Sequence, residues 1–148
     1  MTPDNPPFQW SAFIRDNPIY AKPRPGAVGT MAELTSVNER ANEIEPSGEF
    51  PPVSQAWLIH PPLACCGDYA TTKYVELLAG NWPSSALQLA ECLTPEGQEH
   101  CVLIVTMPDG EHVLDNRTSA IRPPNRTGLK FLCIQSATDP QMWERLAA

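Results

Sequence analysis

No stretch of this 148-residue chain is apolar for long enough to span a membrane. A basic stripe is missing too. Ten Lys and Arg stand against seventeen Asp and Glu, for a net charge of −7 and a pI near 4.8. Lys22 and Arg24 stand among prolines, and Arg117, Arg122, Arg126 and Lys130 are scattered. Nothing gathers cations to neutralise phosphates, which excludes nucleic acid as a partner. There is no C-x-x-C pair, and five cysteines are an odd number, so a fully paired disulfide framework is excluded. His60, Cys65, Cys66, Cys92 and Cys101 match no usual zinc-ligand spacing. The start, Met1-Thr2-Pro3-Asp4-Asn5-Pro6, has neither the basic nor the apolar segment of a secretory leader. The expectation is a cytoplasmic protein with reduced thiols.

Proline is what the chain has in excess. Seventeen are present, and Pro3, Pro6, Pro7, Pro18, Pro23 and Pro25 crowd the beginning. Residues 1–29 therefore read as a proline-rich, mostly irregular arm, pinned by Phe8, Trp10, Phe13, Ile14 and Tyr20. Residues 30–148 read as the core of one domain, 1–148, large enough to bury apolar side chains without staples. No internal repeat is apparent.

Thr30-Met31-Ala32-Glu33 has the form of a capping box, with Thr30 as N-cap and Glu33 reaching back to its N–H. Met31, Leu34, Val37, Ala41 and Ile44 then recur at helical spacing until Pro46-Ser47-Gly48, predicting a helix over about 31–45. Prolines break residues 46–65 (Pro46, Pro51, Pro52, Pro61, Pro62), where Trp57, Leu58 and Ile59 form the apolar cluster and are placed to pack beside Cys66. From Gly67 to Ala79 the pattern is helical again, with Gly80 as the stop. The period then changes to two. Strands are predicted near 86–93, 100–107, 112–115 and 129–135, with a hairpin turn at Pro108-Asp109-Gly110. Helices first and an antiparallel meander after predict an α+β fold with the second helix packed on the sheet.

Cys66 stands where the irregular segment gives way to that second helix. Thiolate, not thiol, is the nucleophile, and the dipole and free N–H groups of a helix start favour the charged form. The same N–H groups suit the oxyanion of a tetrahedral intermediate. His100 and Asp115 follow, each on a predicted strand. An imidazole accepts the thiol proton and later gives it to a leaving amine, and a carboxylate holds the imidazole in the useful tautomer. Taken singly, each has a plainer reading: a buried inert thiol, a strand-edge histidine, a turn aspartate. Their chain order, Cys then His then Asp, is that of papain-type and transglutaminase-type nucleophilic sites. Cys65 is the alternative nucleophile, and His60 and His112 are the alternative bases. The expected turn sets Asp115 opposite Leu103 or Ile104, about 7–13 Å from His100 along the strand. Contact then requires a bulge, a strong twist or a longer loop.

Three segments carry a resemblance. Cys65-Cys66-Gly67-Asp68-Tyr69-Ala70 with Lys73-Tyr74, His100-Cys101-Val102-Leu103, and Val113-Leu114-Asp115-Asn116 followed by Ile121-Arg122-Pro123 are similar to the nucleophile, histidine and aspartate motifs of the bacterial transglutaminase-like cysteine proteinases, the LapG-like family. The resemblance reaches Val37-Asn38 and covers about residues 32–143. It implies a papain- or transglutaminase-like core and a Cys66, His100, Asp115 triad that cleaves a protein or peptide substrate. Members that cut adhesins bind calcium through acids flanking the nucleophile. Here Cys65 and Gly67 stand at those places and offer no side-chain oxygen, so the implied calcium site is lost and no cofactor is expected.

The leading expectation is a cysteine peptidase working through an acyl-enzyme. An amidase or transglutaminase-type acyl transferase uses the same chemistry, and a non-catalytic module retaining the fold is the alternative from another class. An export signal already removed would make the location periplasmic. A short, proline-rich, leader-less form is compatible with a phage or mobile element. Substrate, host and oligomeric state are not legible in the sequence.

Overall fold

The computed structural model describes residues 2–48 and 55–146, so Pro51 and Pro52 of the proline-broken stretch lie outside the described residues. The proline-rich arm is more ordered than expected. Thr2–Asp4 form strand β1, and Phe8–Asp16 form helix α1. Pro7 precedes α1 and Pro18 follows it, so the prolines bracket the helix instead of breaking it. α1 buries Trp10 and Phe13, whose rings stack at a centroid distance of 5.2 Å, and Tyr20 stacks on Phe13 in turn.

Met31–Asn42 form α2, three residues shorter than the spacing predicts. The Thr30 hydroxyl accepts from the Glu33 N–H at 3.2 Å, as an N-cap should. Glu33 does not reach back, because its Oε2 accepts from the Trp82 indole at 2.9 Å. After α2 the chain leaves as strand β2, Glu45–Pro46, which pairs in parallel with β3, Leu63–Ala64. β3 leads directly into α3, Cys66–Ala79. Gly80 follows α3 with an ordinary φ of −81°, and Asn81 takes the left-handed conformation at φ 72°.

Strands β4 (Leu87–Leu93), β5 (Glu99–Met107), β6 (Gly110–Leu114), β7 (Lys130–Gln135) and β8 (Trp143–Arg145) complete the fold. The order is β1-β8-β7-β4-β5-β6, antiparallel throughout. β4 to β6 are the expected meander. β7, however, returns to the far side of β4, and the short strand β8 lets the N-terminal β1 add at the edge. The α+β expectation stands.

α3 lies on this sheet and is buried nearly all round, from Gly67 to Tyr74. Leu89, Leu103 and Val105 join Trp10, Tyr74, Leu77, Trp82 and Trp143 in the main core, while the alternate residues Ala90, Val102 and Ile104 enter a second cluster with Val113 and Leu129. The strands thus bury both faces, by the two-residue period of a pleated sheet. Among the described residues no helix is long and apolar enough to cross a membrane.

Candidate active site

The start of α3 is fixed by one carboxylate. Asp68, the third helical residue, accepts the Cys65 N–H on Oδ2 at 3.0 Å and the Leu58 N–H on Oδ1 at 2.9 Å. The first bond is half of a capping box with Cys65 at the N-cap, and the second staples the Trp57-Leu58 segment to the helix. Gly67 has to be glycine here. A Cβ on it would lie 2.0 Å from Trp57 Nε1, so the indole occupies the space a side chain would need. Trp57 thereby packs beside Gly67 and Cys66, as its place in the sequence predicts.

Cys66, the first residue of α3, is a half-buried free thiol. It opens into a cleft of about 570 Å³ whose lining includes Trp57, Cys65, Glu91, His100 and Leu132. Leu132 is the extra residue of a bulge, since Glu91 pairs with Cys133 and Cys92 with Phe131. Bulges commonly re-aim a strand beside a functional cleft.

His100 Nε2 lies 2.7 Å from Asp115 Oδ1. No bulge in the β5–β6 ladder is needed for this. Met107 pairs with Gly110 and Leu103 with Leu114, so Asp115 falls one step beyond, level with Val102 and two residues from His100. Diagonal neighbours of this kind are about 7–8 Å apart, within reach of an imidazole and a carboxylate. The turn closes one residue tighter than expected, which shortens the offset. Asp115 is further held by Arg117, whose Nη2 and Nε donate to Oδ2 at 2.9 and 3.1 Å and whose backbone N–H donates to Oδ1 at 3.0 Å. From α2, the Asn42 amide donates to the Asp115 carbonyl at 3.1 Å.

Burial pushes the Asp115 carboxyl up, but the His100 and Arg117 bonds outweigh it and hold the group well below the usual carboxylate range. An ionised carboxylate only accepts, so Nε2 carries the proton and Nδ1 of neutral His100 is the free base. Burial pulls the His100 imidazole down, yet its bonds to Asp115 and to Cys66 and their charges lift it to about 9. Cys66 and His100 thus line the same cleft, and His100 is bonded to Asp115. Burial drives the Cys65 thiol up to about 12, with the Asp68 N–H opposing and the Asp68 charge adding to the rise. Cys92 is likewise pushed to about 12 and Cys133 to about 11, both chiefly by burial. His60 pairs with Glu76 at 3.3 Å and His112 with Asp109 at 2.9 Å. Neither rival histidine lines the cleft.

The fork from Arg117 to Asp115 was not singled out by sequence reasoning, although a guanidinium two residues from a carboxylate is its signal. Asn42 carries no such short-range mark.

The residues do not fit a calcium ion. Cys65 and Gly67 offer a sulfur and no side chain, and both oxygens of Asp68 already accept backbone N–H groups. Among the described residues no group of three or more His, Cys, Asp or Glu side chains is placed to hold a metal.

Comparison with known proteins agrees with this architecture. The structure of Legionella pneumophila LapG in its calcium-bound form superposes with a TM-score of 0.65 and 22% identity, covering 94% of this chain and 79% of that one. A second Legionella pneumophila LapG structure gives 0.62 and 23%, covering 86% and 71%, and an EGTA-treated one gives 0.63 and 23%, covering 86% and 70%. At these identities the likeness establishes the fold. No curated protein matches the chain significantly. The profile of the bacterial transglutaminase-like cysteine proteinases, BTLCP, matches residues 5–148, and the chain belongs to that family.

Proposed function

We propose that the protein is a cysteine peptidase in which Cys66 is the nucleophile, His100 the general base and acid, and Asp115 the residue that orients His100. The observation that carries the reading is the 2.7 Å bond between His100 and Asp115 at the wall of the cleft that Cys66 opens into. Nδ1 of His100 takes the thiol proton, and the sulfur attacks a peptide carbonyl. The N–H groups of the first turn of α3 face the developing oxyanion. The imidazolium returns its proton to the leaving amine, and water then hydrolyses the thioester. Asp115 and Arg117 keep charge and tautomer fixed through both steps. No step passes through a metal, and calcium independence is part of the reading.

Family membership supports a protein substrate. The test is to incubate unfolded protein or a peptide library with the wild type and with Cys66→Ala, and to identify new termini by mass spectrometry. New termini with the wild type and none with Cys66→Ala are expected. Equal cleavage by both overturns the assignment. An added amine that appears on the product separates acyl transfer from hydrolysis.

A further inference from the structure

One row of paired residues crosses the sheet beneath the cleft. Glu91 on β4 pairs with Cys101 on β5 and with Cys133 on β7, and Cys133 pairs in turn with Arg145 on β8. Directly paired residues present their side chains on one face. All four line the cleft that Cys66 opens into. Cys101 follows His100, so Glu91 lies one strand, about 5 Å, from the residue next to the base. Glu99, two residues before Cys101, faces the same way and also lines the cleft.

The charges along this row are unequally matched. The Arg145 guanidinium donates to Asp4 Oδ2 at 2.8 Å, and the Cys133 thiol reaches the same oxygen at 3.7 Å. The Glu91 carboxylate is half-buried and, among the described residues, makes neither a hydrogen bond nor an ion pair. Burial pushes it up, the charges of Glu99 and Asp4 add to the rise, and Arg145 opposes it. A carboxylate partly withdrawn from water is costly without a partner. Packing does not ask for one here: Leu89, two residues earlier on the same face, is the kind of side chain the core selects.

We propose that Glu91 is a specificity-determining residue that takes the cationic side chain of a lysine or arginine beside the scissile bond, with Glu99 adding attraction from the same face. The inference rests on the Cys66, His100, Asp115 reading of the cleft and names the substrate class of that cleft. With Arg145 already matched by Asp4, an incoming cation meets an excess of acid, and an acidic side chain is repelled. The cation supplies the partner that Glu91 lacks in the free protein. An uncharged side chain at that place leaves the carboxylate desolvated and unpaired. Selectivity thus comes as much from rejecting neutral and acidic residues as from attracting basic ones. The net charge of −7 draws cationic segments toward the protein in the first place.

The experiment begins with digestion of unfolded protein and identification of the new termini by mass spectrometry. Lysine and arginine should be enriched at one position beside the cut. Peptides carrying lysine, Nε-acetyl-lysine or glutamate at that position are then given to the wild type, Glu91→Gln and Glu91→Lys. The wild type is expected to favour lysine over acetyl-lysine by at least about tenfold in kcat/KM, and over glutamate by more. Glu91→Gln should bring lysine and acetyl-lysine within about threefold of each other, and Glu91→Lys should invert the order of lysine and glutamate. Cut sites without basic residues, or a lysine preference that survives Glu91→Gln, overturn the proposal. If neither variant folds, the wild type decides alone: its lysine preference must shrink as salt is added, and a salt-independent preference overturns the charge contact. If nothing is cleaved, the peptidase reading falls, and the subsite is tested by modifying Cys66 with aminoethyl and sulfonatoethyl methanethiosulfonate, one cationic and one anionic. Glu91→Gln should lower the cationic-to-anionic rate ratio at Cys66 by at least about threefold, and an unchanged ratio overturns the subsite.

Discussion

His100 and Asp115 are joined by a 2.7 Å bond that runs diagonally between the ends of β5 and β6, two residues out of register. The second carboxylate oxygen accepts from Arg117 at 2.9 and 3.1 Å, so the carboxylate that meets the imidazole is not free to rotate. Asp115→Asn is expected to lower kcat/KM by about 10³- to 10⁴-fold, as loss of the orienting acid does in hydrolytic triads. Because Asp115 helps lift His100 to about 9, the wild-type rate should fall as pH rises through that value and the imidazolium is lost. In Asp115→Asn that alkaline limb should move to lower pH. A limb that stays near 9 in the variant would remove Asp115 from the account.

The same pair sets the pH dependence of stability. Asp115 has a folded pKa below its unfolded one, so its contribution is present above about pH 4 and is lost as pH falls toward the folded value. His100 has the opposite sign. Its raised pKa contributes fully below about pH 6.5, and that contribution is lost as pH rises to about 9. Urea midpoints measured from pH 3 to 10 should fall on both sides of a plateau between about pH 4 and pH 6.5. Asp115→Asn should flatten both sides, and an unchanged profile would contradict the pairing.

Gly67→Ala places a methyl 2.0 Å from Trp57 Nε1. Either the indole or the start of α3 must shift, at about 1–3 kcal/mol in a packed site. Cys66 alkylation should slow together with the loss in denaturation midpoint. Trp57→Leu in the Gly67→Ala background should recover part of the stability, since it removes the atoms that clash. No recovery would place the strain elsewhere.

Much of this architecture is written locally in the chain. The Thr30 cap, the helix that starts at Cys66, and the Pro108-Asp109 turn that joins β5 to β6 depend on neighbouring residues, and each lies within a residue or two of expectation. α1 was hidden because a run of prolines reads as irregular, whereas Pro7 and Pro18 stand just outside Phe8–Asp16. Strands β1 and β8 are three residues each and exist through pairing with one another and with β7, a relation between the two ends of the chain. At the site, Cys66, His100 and Asp115 could be named from residue type and order. Their register could not, because it turns on whether Leu103 faces Leu114 or a neighbour. Asn42 was invisible for a related reason: an asparagine in a polar-looking helix finds its partner, the Asp115 carbonyl, only once the helix is packed.

Calcium should leave this protein unaffected. With a thiol and a glycine on either side of Cys66 and Asp68 committed to two N–H groups, these three residues supply no oxygen cage. Millimolar calcium or EGTA should change neither peptide turnover nor the thermal midpoint, since an ion that binds the folded state must raise that midpoint. A rise with calcium that EGTA reverses would show a site formed by other residues.

The central claim is that Cys66, served by His100, is the reactive thiol, and alkylation tests it most directly. Wild type and His100→Ala are treated with limiting iodoacetamide at pH 7, and each cysteine peptide is quantified by mass spectrometry. Cys65 is the informative control, being equally half-buried and adjacent. The account predicts that Cys66 is labelled well ahead of Cys65, Cys92, Cys101 and Cys133. It also predicts that His100→Ala slows labelling of Cys66 by at least about tenfold while leaving Cys65 unchanged. Labelling of Cys66 no faster than Cys65, or indifferent to His100, would contradict it.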